Sequence, residues 1–165
     1  MRLESVNPKN NQKINSWEIH DEVDVKNLLK KANKAYLQWK DTDLTFRINC
    51  LDEIANLLRD RSKEYATLMA DEMGKPLSQG IGEIKKCAWL CDYYRENSHN
   101  FLRPKKIQTE NHKSLITFQP IGLILGVMPW NFPFWQVFRF AIPSLTVGNG
   151  SVLKHASNVQ GCAGA

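Results

Sequence analysis

The chain has no aspartate or glutamate after Glu110, no long uninterrupted apolar run, and no second Cys or His pair beside Cys87 and Cys91. Each absence removes a class of function. The four cysteines are Cys50, Cys87, Cys91 and Cys162. Cys87 and Cys91 share a helix face, but without further ligands at zinc-binding spacing no metal site is expected. Reduced thiols packed in the core of a cytoplasmic protein are the expected reading. From Pro120 to Gly148 only Arg139 is charged, yet Pro129, Asn131, Pro133 and Pro143 interrupt the stretch. A membrane span needs about 20 predominantly apolar residues with every backbone group paired. The stretch therefore reads as buried core, and no membrane partner is expected. Met1 to Pro8 is polar and lacks the apolar run of a signal peptide. The shortage of acids leaves a net charge of +5 and a pI near 9.0. Lys and Arg are spread along polar helix faces, so nucleic acid is not the expected partner. An acidic remainder outside these residues would explain the imbalance equally well.

What is present is a globular composition, 42% hydrophobic and 24% charged over 165 residues, enough for a real core. Asn7-Pro8-Lys9-Asn10-Asn11 is turn chemistry, with short extended pieces around Ile14 to Ile19. Helical spacing begins near Asp24, a candidate N-cap, and continues through Val25, Leu28, Leu29, Ala32, Tyr36 and Trp39. A second helix opens near Asp43. A third is capped by Ser62 and stopped by Gly74 and Pro76, and a fourth starts at Ser78. The apolar stripe of each is expected to be core.

Pro104 separates this helical part, residues 1–103, from the rest. Residues 104–119 predict a projecting β-hairpin, Ile107 to Thr109 against Leu115 to Phe118, with little apolar surface of its own. In residues 120–165, Ile121 to Met128 suits a strand buried on both faces. A helix follows over about Pro133 to Val147, with Pro143 expected to kink or break it. Gly148-Asn149-Gly150 ends that helix, and Ser151 to Lys154 forms the next strand. The crossover is long enough for a right-handed βαβ unit. The fold class is thus α/β: N-terminal helices, then the start of a Rossmann-like parallel sheet.

The first strand stops at Pro129 and presents Trp130 and Asn131 at its carboxyl end, where open parallel sheets bind ligands. From the residues alone, Asn131 reads either as the cap of the following helix or as a neutral donor to an oxyanion.

Pro120-Ile-Gly122, Pro129-Trp-Asn-Phe-Pro133 and Gly148-Asn-Gly-Ser-Val-Leu-Lys154, in this order, resemble the aldehyde dehydrogenase superfamily. Its succinate-semialdehyde dehydrogenase branch is the most similar. The match runs from Ser5-Val-Asn-Pro8 through Glu72-Met-Gly-Lys-Pro-Leu77 to Cys162-Ala163. The resemblance implies oxidation of a small-molecule aldehyde, such as succinate semialdehyde, with NAD or NADP in a homo-oligomer. Asn131 would donate to the oxygen of the thiol adduct. Val127, Met128, Pro129 and Trp130 would line the nicotinamide half of the cofactor site. Lys154, Ala156 and Ser157 would meet the adenosine ribose, where the alternative for Lys154 is a plain surface lysine. Many NAD-preferring relatives carry glutamate at the position of Ser157. Serine repels a 2′-phosphate far less, so NADP should be accepted.

Phe132, Gln136 and Arg139 share a helix face leading away from Asn131. Arg139 is placed to bind a substrate carboxylate bidentately, its alternative being a snorkelling or interface arginine. The resemblance also implies an incomplete enzyme. The glycine-rich segment, general-base glutamate, nucleophilic cysteine and catalytic domain would lie beyond Ala165. Cys162 corresponds to a packing site rather than the nucleophile. The chain alone is expected to be inactive and prone to self-association through uncovered sheet. A competing expectation is a non-catalytic interaction module or gene remnant whose hairpin docks on a complete subunit.

Overall fold

A computed structural model describes residues 2–165. Two antiparallel strands, β1 (Arg2–Val6) and β2 (Lys13–Glu18), open the chain. Their pairing was not evident from the sequence, because neither strand alternates cleanly. Helix α1 (Glu22–Trp39) starts earlier than the periodicity suggested. Asp21 is its cap, and Asp24 is the N3 member of a capping box in which each carboxylate accepts the other residue's backbone N–H. The apolar stripe of α1 is not core: Val25, Leu28 and Leu29 are 43–45% exposed.

Helices α2 (Leu44–Asp60), α3 (Ser62–Met73) and α4 (Leu77–Leu102) form the interior. Leu51, Ala55, Ala66, Met69, Ile84, Cys87 and Cys91 are at most 2% exposed there. Asp43 caps α2 through the Phe46 amide, as its position suggested. Ser62 does not cap α3, because only Arg61 separates the two helices. Gly74 ends α3 in the left-handed region at φ 72°, which a glycine adopts without strain. Helix α4 begins at Leu77, directly after Pro76 rather than at Ser78.

A short hairpin of β3 (Lys105–Ile107) and β4 (Ser114–Ile116) follows, each strand lying one or two residues earlier than the expected Ile107 to Thr109 and Leu115 to Phe118. Its Ile107, Leu115 and Ile116 are exposed. Then β5 (Leu123–Val127), α5 (Trp135–Thr146) and β6 (Gly150–Lys154) build a parallel βαβ unit, with Ile124 opposite Ser151 and Val127 opposite Lys154. β5 is not buried on both faces as its composition suggested. Leu125 and Val127 are 63% and 66% exposed, whereas Gly126 is buried with Phe140 against it. α5 starts two residues after Pro133 and runs unbroken through Pro143, which falls in its last turn. The chain closes with α6 (Gln160–Gly164).

Candidate functional site: the loop between β5 and α5

The parallel register sets the site. With Val127 opposite Lys154, and the Met128 N–H donating to the Lys154 carbonyl at 3.0 Å, Pro129–Asn131 and His155–Ser157 leave the sheet side by side. Val127, Pro129, Trp130, Asn131, Phe132, Lys154 and Ser157 are exposed, while Met128 and Ala156 are half-buried. The residues expected to meet a dinucleotide thus share one end of the sheet.

The loop's backbone is fixed from three sides. The Phe134 and Trp135 N–H groups, orphan donors at the start of α5, both donate to Glu83 Oε1 of α4 at 3.0 and 2.9 Å. Asn131 therefore does not cap α5; a carboxylate from another helix does. The other oxygen of Glu83 is ion-paired with Lys75, and both side chains are almost wholly buried, 1% and 6% exposed. The Lys75 ammonium donates in turn to the Asn131 carbonyl at 3.0 Å and lies 3.9 Å from the centre of the Phe132 ring. From the end of β6, buried His155 has Nε2 2.9 Å from the Pro133 carbonyl, while its Nδ1 accepts from the Ala156 N–H. Those two partners require the tautomer with the proton on Nε2. The Asn131 carboxamide stands exposed on an anchored backbone.

A cleft of about 510 Å³ opens between Lys75 with α4 (Gln79, Lys86) and the loop-α5 face (Phe132, Trp135, Gln136). The Lys86 ammonium sits 4.0 Å from the centre of the Trp135 ring. Phe132 and Gln136 therefore share the cleft, whereas exposed Arg139 lies outside its lining. Sequence reasoning had not placed Lys75, Glu83, Lys86 or His155 here.

Three of the four cysteines, Cys87, Cys91 and Cys162, are buried and not arranged as nucleophiles, while Cys50 on α2 is half-buried. Burial pushes the Cys162 thiol well above its ordinary range, helped by Glu72, and the residue is 6% exposed. Both Glu72 oxygens accept backbone N–H bonds at the start of α6, from Gly161 and Cys162 at 2.8 Å. Burial likewise raises Cys87, and raises Cys91 to about 12. Among the described residues no group of His, Cys, Asp and Glu is placed to hold a metal ion, and no helix is long and apolar enough to cross a membrane.

The aldehyde dehydrogenase family model matches residues 1–165, the whole chain. The chain belongs to the aldehyde dehydrogenase family. A probable NADP(+) succinate-semialdehyde dehydrogenase of Synechocystis sp. is 41% identical over 163 residues, covering 99% of this chain and 36% of that relative. The Sad succinate semialdehyde dehydrogenase [NAD(P)+] of Escherichia coli K12 is 40% identical over 159 residues, 96% of this chain and 34% of its own length. Among solved structures, succinic semialdehyde dehydrogenase of Streptococcus pyogenes in complex with NADP+ superimposes with a TM-score of 0.93 at 32% identity, covering 98% of this chain and 36% of that one. This member of the family thus spans about a third of its relatives' length, and the span corresponds to their N-terminal portion.

Proposed function

We propose that this chain supplies the oxyanion donor and one half of the dinucleotide site of an NAD(P)-dependent aldehyde dehydrogenase acting on a small carboxylated aldehyde, succinate semialdehyde or a close analogue. The observation that carries this reading is the Asn131 carboxamide, exposed at the carboxyl end of β5 on a loop held at the Asn131 and Pro133 carbonyls and at the Phe134 and Trp135 amides. A donor fixed before reaction stabilises developing negative charge without reorganising, and loss of one such donor costs about 10²–10³ in rate.

The residues present fit a dinucleotide. Val127, Trp130 and half-buried Met128 offer apolar surface beside Asn131, Lys154 offers a cation to ribose hydroxyls, and no acid after Glu110 opposes phosphate. Bound there, the nicotinamide would accept the aldehyde hydride. Val127 to Trp130 would orient its ring, and Ser157 would tolerate a 2′-phosphate. The relatives named for NADP(+) and NAD(P)+ support this pairing. Phe132 and Gln136 would line the aldehyde's path, with Arg139 receiving its distal carboxylate.

Taken alone, these residues should be inactive. Cys87, Cys91 and Cys162 are buried with raised pKa values, and a thiol must ionise to attack. Catalysis would need the thiol and general base of a larger, oligomeric enzyme.

The test joins this chain to the remaining portion of the E. coli relative and follows NADP-linked oxidation of succinate semialdehyde. Activity that falls about 10²–10³-fold in Asn131→Ala, with dinucleotide affinity kept, is the expected result. Undiminished turnover in that variant would overturn the reading.

A further inference from the structure

Glu83 and Lys75 are charged residues where charge is costly. At 1% and 6% exposure, the pair must recover its desolvation through further bonds. The recovery is specific to one loop. Glu83 spends one oxygen on two amides at the start of α5 and the other on Lys75, while Lys75 spends its ammonium on the Asn131 carbonyl and the Phe132 ring. Glu83 lies 51 residues from Phe134, and Lys75 lies 56 from Asn131, so neither bond is a local turn contact. Lys75 stands just before α4 and Glu83 in its second turn, and Gly80 between them packs directly on Ala66 of α3. The pair is therefore tied to the rigid interior.

We propose that Lys75 and Glu83 are positioning residues, a buried strut from α4 that sets where the Asn131 carboxamide stands. Glu83 fixes where α5 begins, and Lys75 fixes the peptide carbonyl of Asn131 itself. The role rests on the proposed function for its consequence in turnover, but the strut is a statement about this loop and can be tested without catalysis.

The two halves of the strut separate by substitution. Glu83→Ala removes the acceptor for Phe134 and Trp135. Glu83→Gln keeps an oxygen for those amides and abolishes the ion pair. Lys75→Met combined with Glu83→Gln leaves a neutral pair that retains the cap and loses only the clamp on Asn131. Removing both charges together avoids leaving one buried and unpaired.

The experiment is hydrogen exchange and amide NMR on the full 165-residue chain. In Glu83→Ala, Phe134 and Trp135 should exchange at least about tenfold faster while the core amides of Ala55 and Leu58 hold. Glu83→Gln should restore their protection. In the double variant that protection should stay, while the Asn131 carboxamide resonances shift toward averaged, mobile values. Unchanged exchange in Glu83→Ala, or equal acceleration at Ala55 and Leu58, would overturn the proposal. If Glu83→Ala does not fold, the double variant decides alone, and unmoved Asn131 resonances would refute the strut.

In the joined enzyme the double variant should lower kcat about 10²-fold with KM little changed, as expected for a misplaced group near reacting atoms. Asn131→Ala separates the two readings. Full activity there removes the proposed function, yet protected Phe134 and Trp135 amides in the same variant leave the strut standing.

Discussion

Gly80 and Gly82 stand in the same helix, α4, yet an added methyl would meet opposite surroundings. At Gly80 a Cβ would lie 2.9 Å from the Ala66 Cβ and 3.1 Å from its Cα, atoms of a neighbouring helix that cannot rotate away. At Gly82 it would meet nothing within 4 Å. Replacing either by alanine gains up to about 1 kcal/mol of helix preference. Gly80→Ala must also force α3 and α4 apart, and overpacking of this kind costs about 1–3 kcal/mol. Gly82→Ala should therefore stabilise the chain by about 0.5–1 kcal/mol, and Gly80→Ala should range from neutral to about 2 kcal/mol less stable. The propensity gain is common to both, so their difference, about 1–3 kcal/mol, isolates the contact with Ala66. Urea unfolding of the two variants and the parent reads it directly, and thermal melts should separate the variants by about 2–4 °C per kcal/mol. Equal stabilities within about 0.5 kcal/mol would mean that α3 and α4 do not approach through Gly80, and the reasoning would fail.

Cysteine ionisation makes a prediction about pH. The folded chain holds Cys91 near 12 against an ordinary 9.0, so above pH ~9 the unfolded chain loses that proton first. Stability present below that pH should fall as pH rises towards 12, by about 1.4 kcal/mol per unit for Cys91, and Cys91→Ala should make the melting profile shallower while Cys87 and Cys162 keep part of the slope. An identical slope in parent and variant would contradict it. In the joined enzyme, Arg139→Leu should raise KM for succinate semialdehyde more than for a neutral aldehyde of similar size, and equal effects would remove Arg139 from carboxylate recognition. Ser157→Glu should weaken NADP binding about tenfold or more while sparing NAD, measured by fluorescence titration, and parallel losses would show that Ser157 does not face the ribose. The bare face formed by Ile121, Leu125 and Val127, 85%, 63% and 66% exposed, should make the isolated chain self-associate, whereas a monodisperse monomer in gel filtration would argue against that.

The βαβ unit was legible because its punctuation is strong. Gly148 adopts φ 92° and Pro129 ends the strand, so both boundaries are fixed by local chemistry. Gly74 was legible for the same reason. The β1–β2 hairpin was not, since mixed polarity on both strands gives no period. For α1, spacing revealed an apolar face but could not say what covers it, and Val25, Leu28 and Leu29 stand exposed. The anchors of the site escaped because their partners are distant in sequence, though a signal existed. Glu83 falls in register with Gly80 and Cys87, and Glu72 with Tyr65 and Met69. An acid on a buried stripe must have a bonded purpose.

The later helices borrow their ends from the earlier ones. Besides Glu83 on α5 and Glu72 on α6, Trp39 donates to the Leu145 carbonyl at 2.9 Å and Arg47 to the Thr146 carbonyl at 3.0 Å, closing the far end of α5. A recombination crossover placed in the hairpin at 104–119 therefore looks harmless on the surface, yet it would separate α5 and α6 from the side chains that terminate them. Swapping residues 120–165 between relatives should succeed only where the donor and recipient agree at Trp39, Arg47, Glu72, Lys75 and Glu83. The portable unit is the loop together with its remote caps, and five positions between Trp39 and Glu83 travel with it.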